Sequence, residues 1–461
     1  MSALEDDAVD ALVLAPAQGG AAAAVAGSVA DGPGISAEDL APARVRRPGR
    51  TRVMPTGWRQ VALIGTLSIV GPFSIDMYLP ALPQINRELH ASASAVQLTL
   101  TACLIGMAVG QLLIGPVSDR MGRRLPLLAG MAGFVVSSLA CAAAPNIYAL
   151  AGFRLLQGLG GAAGIVIARS IARDLHSGTV LARFFATLML VTGVGPLLAP
   201  QIGSWIVSFT TWRGVFVALA LFGALLLFSA WWRVPETLPP HKRLTGSVWS
   251  TLATMGSVAR DRVFLGYVLA CGLGMGGTFA YIAGSSFVLQ NIYGLSPQTY
   301  GLVFAFNACG LIIGAQVSGR LAGRFGPSRL LTAGLATMVV AGAVLFVVVS
   351  TRIVGLAGVI PVLFVFMFGF GFVGPNAAAL AMQRYPHAAG SAAAVLGSLQ
   401  FGMAALIAPL AGAGGTHDAT PMITLMFTLA AAALLSRVLL AGQARREAAQ
   451  QLAESAAGPA A

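Results

Sequence analysis

Twelve stretches of mostly apolar residues run along the chain, and short polar turns separate them. They lie at roughly 58–82, 94–117, 125–145, 147–168, 184–208, 213–233, 262–287, 298–319, 328–350, 353–377, 391–413 and 419–440, each near the ~20 residues that a helix needs to cross a bilayer. The longest internal polar connection, 234–260, carries Pro235, Pro239, Pro240, His241, Lys242 and Arg243. It divides the twelve into two sixes. A charged, glycine-bearing turn, Gly115-Pro116-Val117-Ser118-Asp119-Arg120-Met121-Gly122-Arg123-Arg124, returns in fainter form from Ala315, with Arg320 set against Arg120 and Arg324 against Arg124. The pattern predicts an all-α membrane protein of twelve transmembrane helices. Its six-helix bundles span 58–233 and 261–441, the linker is 234–260, and polar tails occupy 1–57 and 442–461.

Composition supports that class. The chain is 57% hydrophobic and 10% charged, against about 25% charged in soluble domains. Its net charge of +12 invites a nucleic-acid reading, but the basic residues crowd into turns and no basic stripe is interleaved with aromatics. No nucleic-acid partner is expected. With the N-terminus inside, all but Arg87, Arg154, Arg213 and Arg352 of the 28 basic residues fall on the cytoplasmic side, as the positive-inside rule requires. Both termini are therefore expected in the cytoplasm. Residues 1–57 open on Glu5, Asp6 and Asp7, unlike a signal peptide, and read as a disordered cytoplasmic tail. Cys103, Cys141, Cys271 and Cys309 all sit in apolar spans and read as small hydrophobes. The five histidines are scattered through turns, so neither a metal nor a cofactor is expected.

Of the charges, Asp76 and Arg154 fall deep within expected spans. An ionisable group at membrane depth is costly and is usually functional, paired or water-facing. Both fall toward the outer part of their helices, which puts them at similar depth. A carboxyl disfavoured by low dielectric but supported by a nearby arginine can load and release a proton. The bland alternative is a structural ion pair between spans one and four. In the 115–124 turn, Gly115 and Gly122 permit close backbone approach. Asp119 can accept hydrogen bonds at a neighbouring helix N-terminus, and Arg120, Arg123 and Arg124 anchor the turn at the cytoplasmic face. The run Gly158–Gly164 matches a dinucleotide fingerprint only superficially, because it lies inside an apolar helix rather than after a strand. It reads, with Gly106-x-x-x-Gly110, as close helix packing. Phe73, Gln111, Tyr281, Asn307, Asn376, Gln400 and Phe401, with Gln316 and Phe306, are the polar and aromatic candidates for lining a cavity. An apolar pocket with few polar fixers suits lipophilic compounds.

The 115–124 segment resembles the loop between spans two and three of the major facilitator superfamily. Leu150-x-x-x-Arg154-x-x-Gln157-Gly158, followed by Gly160, Gly161, Ala162 and Ala163, resembles the fourth-span signature of that superfamily's drug:proton antiporters. Ser74–Pro83, Trp212-Arg213 and Pro235-Glu236-Thr237-Leu238 resemble the bicyclomycin/chloramphenicol-resistance (Bcr/CflA) branch. The resemblance covers about residues 58–440. One motif departs from the group: in span five Gly193, Gly195, Pro196, Pro200 and Gly203 are kept, while Val191 and Ala199 break the usual pattern. The resemblance implies a monomeric exporter of small amphipathic compounds in a bacterial inner membrane, driven by protons and working by alternating access. Asp76, Arg154 and Gln157 would couple the proton, and Gly115, Asp119, Arg120, Gly122, Arg123 and Arg124 would latch the cytoplasmic side. A carrier of one metabolite, such as a nucleobase or amino-acid derivative, is the nearest rival. An enzyme would need convergent nucleophile, base or metal ligands, a channel a filter or charged ring, and an ATP-driven pump a phosphate-binding G-x-x-x-x-G-K-[ST] loop. None is present in the sequence.

Overall fold

The computed structural model describes residues 58–176, 178–243, 248–351, 355–385, 389–414 and 418–456. The expected 1–57 tail lies outside the described residues. The first half contributes α1 (Trp58–Asp76), a 3-10 turn (Leu79–Ala81), α2 (Leu82–Glu88), α3 (Ala93–Met121), α4 (Arg124–Ala142), α5 (Ile147–Leu175), α6 (Gly178–Phe209) and α7 (Trp212–Arg233). After α8 (Val248–Val258) come α9 (Arg262–Phe287), α10 (Pro297–Thr351), α11 (Gly355–Gln383), α12 (Ala389–Ala411) and α13 (Thr420–Ala456). Ten of the described helices are long and apolar enough to cross a membrane.

Local chemistry sets the helix ends. Ser92 opens α3 by accepting the Ala95 amide at 3.1 Å, and Asn146 opens α5 by accepting that of Ala149 at 2.9 Å. Asp261 opens α9 by accepting the Val263 and Phe264 amides. Such caps satisfy amides that the first turn leaves without partners.

Several expectations change. The first span is not continuous: α1 stops at Asp76, and the chain goes on through a turn and a 3-10 segment into α2. Residues 115–121 belong to α3, so the expected ten-residue turn is a reversal at Gly122 and Arg123 alone. Gly122 has φ 93°, a conformation that costs glycine nothing. The internal repeat also shifts. α10 runs 55 residues and breaks at Gly326, with φ 74° and ψ 153°. Gly326 is thus the counterpart of Gly122, and Arg324 rather than Arg320 matches Arg120. The sequence comparison slipped by one helical turn because both registers bring arginine onto arginine. The expected 234–260 linker contains α8, and the last helix runs on to Ala456 instead of ending near 440.

Glycines set the packing. A methyl group on Gly158 would lie 2.0 Å from the Cys103 carbonyl oxygen, and one on Gly164 2.2 Å from that of Leu67. α5 therefore packs backbone to backbone against α3 and α1, the close approach that small residues permit between membrane helices. Gly106 does the same from α3, since its methyl would meet the Leu155 carbonyl at 2.1 Å.

The first seven helices meet the later ones along two seams, α3 against α12 and α6 against α10. Hydrogen bonds cross at the end holding the Leu79–Ala81 turn: Ser286 Oγ donates to the Leu79 carbonyl at 2.7 Å, and Ser94 Oγ to that of Gly412 at 3.1 Å. Deeper, Thr101 donates to the Ala405 carbonyl and Ser398 to that of Ala108. No such bond among the described residues crosses at the opposite, basic end, so the chain is closed at the Leu79 end.

Candidate functional site

Arg154 is fully buried in the first half. Its Nη1 donates to the Ser74 carbonyl at 3.1 Å and to Gln157 Oε1 at 2.6 Å. Gln157 Nε2 donates in turn to Ser138 Oγ at 2.7 Å. The guanidinium lies 4.7 Å from the centre of the Tyr78 ring and 5.7 Å from that of Phe216. Every one of these partners is neutral and belongs to the first half. Arg154 Nε and Nη2 make no hydrogen bond among the described residues.

Asp76 occupies a different position. It is the last residue of α1 and only 6% exposed. Its carboxyl has no hydrogen bond or ion pair among the described residues, and lies within electrostatic reach of the Tyr281 and Tyr300 phenols on α9 and α10. Asn307 Nδ2 donates to Tyr281 Oη at 2.9 Å, Tyr281 stacks on Phe304 at 5.6 Å, and Tyr300 Oη is 3.2 Å from Ser285 Oγ. Asn307 Oδ1 is buried without a partner. The expected approach of Asp76 to Arg154 is therefore corrected: they form no ion pair, and the hydrogen bonds of Arg154 go to Ser74 and Gln157 of its own half instead.

The cavity candidates divide. Tyr281, bonded to Asn307, lies within electrostatic reach of Asp76. Gln111 is buried where the halves meet, in the notch of Gly397, where an added methyl would meet its Oε1 at 2.1 Å. Phe73 packs at 5.3 Å on Phe222 inside the first half. Asn376 donates to Ser318 Oγ and the Phe372 carbonyl, and Gln400 to Cys271 Sγ, all inside the second half. Phe401 is half-buried against the core. Gln316 and Phe306 are exposed on α10, Phe306 with its ring 4.8 Å from that of Phe364.

At the basic end, Arg123 is the hub of the reversal. Its Nη1 donates to Asp119 Oδ1 at 2.5 Å and Ser118 Oγ at 2.9 Å, and its Nε to Asp174 Oδ2 at 2.9 Å. The helix-capping acid is not Asp119 but Glu236. The Glu236 carboxylate accepts the Arg123 amide at 2.7 Å and the Arg124 amide at 3.3 Å, at the start of α4. A methyl on Gly122 would strike Glu236 Oε2 at 2.3 Å, so only glycine lets the acid in. Burial pushes the Glu236 carboxyl up, but the Arg123, Leu238 and Arg124 amides and the Arg243 guanidinium outweigh it and hold it below the ordinary value of 4.5. Arg124 Nη2 donates to the Trp231 carbonyl at 2.8 Å, and Arg120 is exposed. Gly115 leaves room for a side chain, the nearest atom being on Val166 at 3.9 Å, and its carbonyl accepts at 2.9 Å from the Ser118 hydroxyl that also accepts from Arg123. All described partners of this cluster belong to the first half and the stretch after α7.

Sequence reasoning missed Glu236, although its motif was in view, along with Asp174, Tyr300 and Ser285. It also counted Arg437 only among the cytoplasmic charges, whereas the structure buries it to 7% exposed. The signal was its place three residues inside the last expected span.

A multi-pass helical membrane protein, closed at one end, with a buried acid at the seam between its halves, has the build of a transporter rather than an enzyme. The chain belongs to the major facilitator superfamily, whose family model matches residues 64–409. It is 44% identical over 382 residues to the uncharacterized MFS-type transporter YdgK of Bacillus subtilis, covering 82% of this chain and 94% of that protein. A bicyclomycin resistance protein homolog of Haemophilus influenzae is 31% identical over 382 residues, with the same coverage. Such a relative bears out the branch read from Ser74–Pro83 and the Pro235–Leu238 motif. The human organic anion transporter MFSD10 shares the fold, with a TM-score of 0.65 at 19% identity, over 84% of this chain and 100% of that one.

Proposed function

We propose that the chain is a monomeric, proton-coupled exporter of small amphipathic compounds in a bacterial inner membrane. The ten helices recognised by length and composition become twelve spans when α10 is divided at Gly326 and α6 is included, with both termini in the cytoplasm. The two six-helix bundles, 58–233 and 261–441, would rock about the seam and open it to each side in turn. Asp76 would exchange a proton for substrate beside Tyr281, Asn307 and Tyr300, while Arg154 and Gln157 tune the charge behind it. The Gly122–Arg124 reversal would stiffen the first bundle so that it moves as one body. Each inward proton supplies about 2.3 kcal/mol per 100 mV of membrane potential. The observation that carries this reading is the unpaired, buried Asp76 carboxyl at the seam, because an acid locked in an ion pair has no reason to change protonation during a cycle.

The test is susceptibility profiling of cells expressing wild type or Asp76→Asn, with substrate-driven proton release from everted vesicles as a second readout. The wild type should protect against amphipathic antibiotics such as bicyclomycin or chloramphenicol and release protons with substrate, and Asp76→Asn should do neither. Equal protection by both would overturn the proton site. Protection by neither, with proton release on addition of one metabolite, would convert the reading to a specific carrier.

A further inference from the structure

The two halves manage their basic ends differently. In the first half three acids, Asp119, Asp174 and Glu236, surround the arginines of the Gly122 reversal. The corresponding parts of the second half, 319–325 before Gly326, 378–385 at the end of α11 and 438–446 after the apolar part of α13, contain no acid. Asp261, the acid at this end of α9, is bonded to Arg384 and the Tyr385 hydroxyl. Yet the second half buries an arginine here. Arg437 is 7% exposed, donates to Ser328 Oγ just after Gly326, and lies 5.3 Å from the Tyr267 ring centre. Among the described residues its Nε has no hydrogen-bond partner and it makes no ion pair. Beside it is a cavity of about 10 Å³ bounded by Val263, Gly266, Tyr267 and Arg437 itself. That is room for about one oxygen atom. A buried guanidinium with only neutral partners carries a desolvation cost that an anion would offset.

We propose that the Arg437 cavity receives one anionic oxygen of a phosphate group. The source is a phospholipid headgroup or free phosphate, and the group does for the second half what the Glu236 carboxylate does for the first. The basic end lies where headgroups sit if the orientation set by the basic residues holds, and guanidinium is the side chain best shaped for phosphate.

The experiment is thermal unfolding of the detergent-purified full-length protein. Wild type, Arg437→Gln and Arg437→Lys are compared with phosphatidylglycerol, phosphatidylcholine, inorganic phosphate or gluconate at matched ionic strength. Phosphate-class binding should raise the wild-type midpoint by about 2–4 °C, leave Arg437→Lys partly responsive and abolish the response in Arg437→Gln. A rise with phosphatidylglycerol alone identifies the headgroup, and a rise with inorganic phosphate identifies the free ion. Should Arg437→Gln fail to fold, Val263→Leu fills the cavity with the arginine kept, and it must lose the response. No response in the wild type, or an undiminished one in Arg437→Gln or Val263→Leu, overturns the site.

Discussion

Arg154 and Asp76 are both buried charges of the first half, placed at similar depth by the sequence, and the structure treats them oppositely. Arg154 is fixed by Ser74, Gln157, Tyr78 and Phe216, all in its own half. Asp76 ends a helix, bonds to nothing described and lies within electrostatic reach of Tyr281 and Tyr300 of the other half. A group held by neutral neighbours on one body keeps its surroundings when the halves separate. A group on the seam changes them. The difference separates a charge suited to tuning from one suited to exchange.

The strongest way to break this contrast is Arg154→Met, which keeps the volume and removes the charge. With two guanidinium nitrogens unbonded, the charge contributes little to stability, and replacing a buried ion by an apolar residue is often neutral. The melting midpoint should stay within about 4 °C of wild type, while transport falls at least about tenfold, near 1.4 kcal/mol of barrier. A large drop in melting point with normal transport would make Arg154 a structural residue. A milder change sharpens the other side. Tyr281→Phe removes the hydroxyl that Asn307 Nδ2 donates to and should slow transport about threefold, by roughly 0.7 kcal/mol, with a shifted pH profile. An unchanged profile would detach Tyr281 from Asp76.

The smallest effect is expected far from both charges. Glu236 has a depressed folded pKa, so its stabilisation is fully present above the unfolded value of 4.5. It is lost as the pH falls through the lower folded value. Glu236→Gln should therefore lower the melting point by about 2–4 °C at pH 7 and flatten its acid dependence below pH 4.5. Transport by the folded protein should be unaltered. Identical acid melting curves for the two proteins would remove Glu236 from the cap.

The helices were legible from runs of apolar residues, and Asp76 stood out because burying an acid in hydrocarbon is rare. The packing role of Gly158–Gly164 was legible as well, since small residues at helical spacing have few other uses. Glu236 was not. It follows Gly122 by more than a hundred residues, and nothing in a hairpin of charges says which acid will arrive from elsewhere to cap α4. Phe73 and Asn376 looked like cavity residues because residue type carries no direction, and only helix rotation turned them into their own bundles.

What the sequence alone determined is the membrane class, the helical segments and the small set of charges that lie deep, because the cost of leaving polar groups in lipid acts on each segment separately. Which of those charges are tied and which are free was decided by tertiary structure. So was the Gly326 register, and so was the burial of Arg437. These depend on how helices far apart in the chain rotate and meet, and pairing between distant side chains is fixed only when packing brings them together.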